Sequence, residues 1–174
     1  MKNTVYVRSK WSLMLAVVIW LASGPANAAI FMEIPGVPGE SNDANHPEWI
    51  DVLSASGTFT QNSCGDFSIT KEIDKAFPLL VRSVVSGRVF SAITVEFTAT
   101  YGGARAVYST ITLNAATITA IATAASGNDA AGPPTENITI QASSITIEYV
   151  EFDDTGSQQG TTTETVICGK SKTN

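Results

Sequence analysis

His46 is the only histidine in the 174-residue chain, so a Ser-His-Asp or Cys-His catalytic arrangement would have to be built on it. It precedes Pro47 in a turn-rich segment with no nucleophile set against it in sequence, which predicts a surface or turn role. Glu48 with Asp51, and Asp153 with Asp154, are the carboxylate pairs that acid–base or hydrolytic chemistry could use. Solvated acids on strand edges and in a polar tail explain them more simply. Asp129 and the Asp153-Asp154 pair lack the alternating acids of a calcium loop, and no CxxC or HxxxH spacing supplies a zinc set. Tyr101-Gly102-Gly103 reads as a hairpin turn, not a phosphate cradle, and the sequon Asn137-Ile138-Thr139 falls inside an expected strand. The residues thus imply no catalytic site, cofactor or metal. Thiol chemistry remains, in Cys64 and Cys168.

Whether those cysteines pair depends on compartment, and the first 28 residues speak to that. Lys2, Arg8 and Lys10 form a positive start, Leu13–Leu21 is apolar, and Ala26-Asn27-Ala28 has the small-x-small pattern of a signal peptidase site. The apolar run falls short of the roughly 20 residues that span a bilayer, although a retained anchor is the alternative. Cleavage between Ala28 and Ala29 removes 28 of 174 residues and leaves 146, in the periplasm or outside the cell, with no membrane attachment. In that oxidising setting an even cysteine count invites a Cys64–Cys168 bridge, the alternative being two free thiols. All 16 acidic residues but only seven of the 10 basic ones lie beyond Ala28, a net charge of −9. No basic cluster offsets it, so nucleic acid is not an expected partner.

The elements that must position these residues are mostly strands. Ser91–Thr100 alternates apolar and polar residues from Ile93 onward, Gly102-Gly103 supplies a turn, and Arg105–Asn114 returns. Thr117–Thr123, Asn137–Ala142 and Ile145–Phe152 follow, with Ser126–Pro134 as a loop. Upstream, Ile30–Ile34, Ile50–Thr60 and Phe67–Lys71 are expected strands. Asp74–Gly87 alone has helical spacing, with Pro78 suited to the first turn and Gly87 to a left-handed cap. About eight strands and one helix predict a mainly β barrel or sandwich of two packed antiparallel sheets with a short flanking helix. Residues 29–152 form that domain, and 153–174 are expected as a polar tail, mobile unless a Cys64–Cys168 bridge pins it to the Gln61–Asp66 connection.

The stretch Phe31–Ser54 carries Ile34, Gly36, Gly39, Glu40, Ser41, Asp43, His46, Ile50, Asp51, Val52 and Leu53 in an order that closely resembles the opening of haemolysin-coregulated proteins (Hcp). Phe67–Lys75 with Pro78, Leu79 and Ser86-Gly87 is a second match, and Thr135–Ile140 with Ile145–Tyr149 a third. The resemblance implies a compact β-barrel with one flanking helix, self-assembly into hexameric rings by head-to-tail contacts, and stacking of rings into the type VI secretion tube. It implies a spike protein and small effector proteins as further partners.

Two features depart from that family. Its tube subunits carry no Sec-type leader, and a periplasmic protein cannot join a tube assembled in the cytoplasm. They also carry a long ring-stacking loop, for which Gln61, Asn62, Ser63, Cys64, Gly65 and Asp66 are a short substitute. The expected function is therefore a non-enzymatic, exported, ring-forming subunit of tube type. The alternatives are a monomeric exported binding module that has lost assembly and, least favoured, an exported hydrolase on a β scaffold.

Overall fold

The computed structural model describes residues 28–61, 63–127 and 132–169. The elements run β1 (Ala29–Glu33), β2 (Ile50–Val52), β3 (Ser54–Thr60), β4 (Ser63–Glu72), α1 (Phe77–Ser86), β5 (Val89–Tyr101), β6 (Ala104–Ala124), β7 (Thr135–Gln141), β8 (Ser144–Phe152) and β9 (Gln158–Ile167). Every strand pairing is antiparallel, in the order β2-β1-β5-β6-β7-β4-β3, with β8 branching from β6 and β9 from β8. The two packed layers are halves of one hydrogen-bonded sheet. β6 joins them, pairing with β5 and β8 over its first part and with β7 over its last.

Ala115, which separates the two strands expected at Arg105–Asn114 and Thr117–Thr123, has φ 46° and lies inside β6. The irregularity bends one long strand from one layer into the other, as bulges do. The single strand expected at Ile50–Thr60 divides instead at Leu53: β2 pairs with β1, β3 pairs with β4, and the Leu53 amide donates to the Thr70 carbonyl at 2.8 Å. That corner brings the two ends of the strand order together around the core.

The core follows the alternation. Ile93, Val95, Leu113, Ile118, Ile138, Ile140, Ile69, Met32 and Ile50 are all buried and form one cluster with Leu80 of the helix. Helix α1 begins with Ala76 as its cap, and no side chain caps it there. The Asp74 carboxylate takes the Ala76 amide at 2.9 Å, and the Asp74 carbonyl takes that of Phe77 at 3.1 Å. Gly87 ends the helix at φ 62°, in the left-handed conformation expected for it.

The segment after Asp153 is not a loose tail over its whole length. Residues 158–167 form β9 and pair with β8 along nearly all of that strand. Polar composition signalled exposure on both faces, which a backbone ladder tolerates, and the β-branched run Thr161-Thr162-Thr163 favours extended chain. The β8–β9 turn is organised by Asp153, whose Oδ1 accepts from the Thr155 hydroxyl at 2.6 Å and from the Thr155 and Ser157 amides at 2.9 Å each. These bonds, the Thr155 hydroxyl first, hold the carboxyl below its ordinary pKa. A lowered value stabilises the turn above the unfolded pKa, and that contribution disappears as pH falls through the folded one. Thr155 and Ser157 amide exchange, followed by NMR on acidification below about pH 4, should rise before that of β5 and β6.

Candidate functional site

Three side-chain groupings stand out, and the first contains His46. It is 3% exposed, buried beneath the loop that runs from β1 to β2, not at the surface. Its Nδ1 lies 2.8 Å from Asp43 Oδ1 and its Nε2 lies 2.7 Å from Glu96 Oε2. An ionised carboxylate only accepts, so each of these contacts is one in which a ring N–H can donate. Arg105 pairs with Asp43, giving an Arg–Asp–His–Glu chain of polar contacts from β6 through the loop to β5. The imidazole stacks on Phe31 at 4.1 Å between centroids and meets Trp49 edge-on at 4.9 Å. Phe31 lies opposite Asp51 and Glu96 in the ladders, on the face turned away from the core, yet is 4% exposed because the loop covers it. The loop fits closely at Gly39, where an added Cβ would come within 2.3 Å of the Trp49 carbonyl oxygen.

Chemically this arrangement holds a loop down. Both ring nitrogens are committed to carboxylates, and neither contacts a hydroxyl or thiol. Glu48 is exposed and reaches the Lys75 ammonium at 3.3 Å, while Asp51 lies exposed on β2, so the two do not form an acid–base pair. Asp153 is engaged in its turn, and Asp129 lies outside the described residues.

The second grouping was not read from the sequence. Lys71 is fully buried, with Nζ 2.7 Å from Glu136 Oε1 and 2.8 Å from Asp74 Oδ1. Lys71 and Glu136 are direct partners across β4 and β7, and Glu136 Oε2 is buried without a protein hydrogen-bond partner. A signal existed: Phe67, Ile69 and Lys71 share one face of β4, and Glu136, Ile138 and Ile140 share one face of β7. Extending each apolar alternation by one step places both charges in the interior.

The third grouping is the edge made by the β3–β4 hairpin and the end of β9. Cys64 and Cys168 are disulfide-bonded across a separation of 104 residues. Ser63, Cys64, Gly65 and Asp66, expected in a loop, belong to β4, with Thr60 paired to Ser63. The connection between β3 and β4 is therefore only Gln61 and position 62, the latter outside the described residues. At the opposite end of the chain, Ala28 is exposed and Ala29 is the first residue of β1, while residues 1–27 lie outside the described part. No described helix is long and apolar enough to cross a membrane.

The fold that carries these groupings has known relatives. A family model described as "Type VI secretion system effector, Hcp" matches residues 31–149, from β1 through most of β8. The chain belongs to the Hcp family. Protein hcp1 of Pseudomonas aeruginosa is 30% identical to it over 145 residues, covering 75% of this chain and 88% of the relative. The crystal structure of Hcp1 from Salmonella typhimurium superposes with a TM-score of 0.71 at 26% identity, over 80% of this chain and 94% of that one. A type VI secretion system effector from Yersinia pestis gives 0.67 at 28% identity, over 79% and 98%. The Hcp-like barrel expected from the sequence is the observed fold. Asp43 and His46, quoted among the residues that resembled Hcp, are the pair that pins the β1–β2 loop.

Proposed function

We propose that this Hcp-family protein is a non-enzymatic ring-forming subunit exported through a cleavable leader, and that its rings stack weakly. The supporting observation is that the chain spans nearly the whole Hcp barrel while its β3–β4 connection is only two residues long. Family resemblance carries ring closure through a head-to-tail interface, which closes when its rotation allows. Weak stacking rests on the missing loop: Ser63–Asp66, the substitute for it, is tied into the sheet. The net charge of −9 beyond Ala28 (16 acids against seven bases) adds repulsion between rings.

Size-exclusion chromatography with light scattering on residues 29–174 should give a closed oligomer, expected as a hexamer. Electron microscopy should show single rings at low salt and short stacks near 1 M salt, where the Debye length falls to about 3 Å. Abundant long tubes at low salt would contradict the stacking half. A strict monomer at high concentration would favour the monomeric binding module instead.

Leader removal has local support. Ala29 opens β1, and its amide and carbonyl both bond the buried Thr98 hydroxyl, at 3.2 and 3.0 Å. Cleavage before it would leave the first strand whole. Intact mass of the exported protein should match a chain beginning at Ala29, and a species retaining Met1–Ala28 would overturn both the cleavage and the expected lack of membrane attachment. If export is by this route, the partners of the ring are periplasmic or extracellular, and a spike or small effector protein would have to meet it there.

A further inference from the structure

We infer that the Cys64–Cys168 bridge is a thiol–disulfide exchange site that latches β9 to the barrel. A dithiol reductant should release β9 and leave the rest of the domain folded. The latch does not rest on ring assembly; it rests on the bridged state, which an oxidising compartment favours.

The inference starts from how little else holds β9. Of its ten residues only Gly160 is even half-buried, and the core cluster contains none of them. β9 pairs with β8 alone, so its other edge is open among the described residues. A strand with no buried side chains and one hydrogen-bonded neighbour is marginal by itself. Its two ends are nonetheless fixed. Asp153 organises the turn at its start, and beyond its end the Cys168 amide donates to the Ser143 carbonyl at 2.9 Å while the Cys168 sulfur is bonded to Cys64 of β4. β4 is itself anchored by Phe67 and Ile69 in the core, so the bridge fastens the least buried strand to one of the most buried.

The bridge is also reachable. Both cysteines are half-buried at the margin of the core, and a cavity of about 240 Å³ opens beside them, lined by Ser63, Asp66, Gln141 and Ala142 as well as the cysteines. Small neighbours leave an approach to the sulfurs that a bridge in the cluster centre would lack. The chemistry balances with a dithiol as the sole co-reactant. Its thiolate attacks one sulfur of the bridge, forming a mixed disulfide and expelling the other cysteine as a thiolate. The second thiolate of the reductant then displaces the remaining cysteine; the reductant leaves as a disulfide and the two cysteines take up protons. The bridge gains two electrons and the dithiol loses two.

Loss of the bridge then shows as local opening, because the hydrogen bonds of β9 have no apolar burial behind them. Hydrogen-exchange mass spectrometry on residues 29–174 would test this in three states: bridged, reduced with dithiothreitol and alkylated without denaturant, and as the Cys64→Ser/Cys168→Ser variant. The second and third states should exchange on the order of tenfold or more faster across Gln158–Ile167, while β5, β6 and β7, although they share any loss of global stability, stay far more protected than β9. Two alkylated cysteines should appear in the second state. Unchanged protection of β9 in the variant would overturn the latch. Thiols that react only after denaturation would overturn the exchange site, and β5–β7 exchanging as fast as β9 would overturn the claim that release is local.

Discussion

Lys71→Met should destabilise the domain by about 3–5 kcal/mol, a large part of the 5–15 kcal/mol typical of a folded domain. The lysine Nζ is shared between Glu136 and Asp74, with Glu136 fully buried and Asp74 nearly so. Removing the cation leaves two carboxylates facing one another in the interior, and Glu136 already has one oxygen without a protein partner. The cost arises from that uncompensated charge more than from the lost contact, because methionine fills most of the same volume. Lys71→Met/Glu136→Leu should therefore recover most of the loss, since an apolar pair of similar size avoids desolvating either charge. Urea unfolding at fixed protein concentration measures both. A single variant within 1 kcal/mol of the parent, or a double variant no better than the single, would contradict this account.

Cys64→Ala/Cys168→Ala should cost about 2–5 kcal/mol in the same measurement. The bridge spans 104 residues, so in the chain-entropy picture it restricts a large loop of the unfolded chain. A domain built on one continuous core of Ile, Val, Leu and Met side chains should survive that loss in dilute buffer. The expected result is a lower urea midpoint with the cooperative transition kept. An unchanged midpoint would mean that reduced and bridged unfolded chains are equally compact.

Ser91–Thr100 and Arg105–Asn114 were legible because one face of each is core and alternation registers that directly. Gly102 and Gly103 were legible as a turn because both need positive φ, at 55° and 82°. The helix was read from its spacing and Gly87, but that segment opened at Asp74, three residues ahead of Phe77, where the Asp74 carboxylate instead accepts from the Ala76 amide. β9 was missed for the converse reason: it buries almost nothing, so no hydrophobic period marks it, and only pairing with β8 makes it a strand.

By itself the sequence determined the mainly β class and the single helix from local pattern, pointed to the family by resemblance, and made a bridge between the two cysteines the expected of two alternatives. Tertiary structure alone decided that His46 is buried between Asp43 and Glu96, since Glu96 lies 50 residues away on another strand. It also decided that Lys71 and Glu136 face each other in the interior, 65 residues apart, through the register of β4 and β7. Charge patterning along a chain says which residues prefer water. It does not say which of them find a partner good enough to leave it, because that depends on strand register and loop placement across the whole barrel.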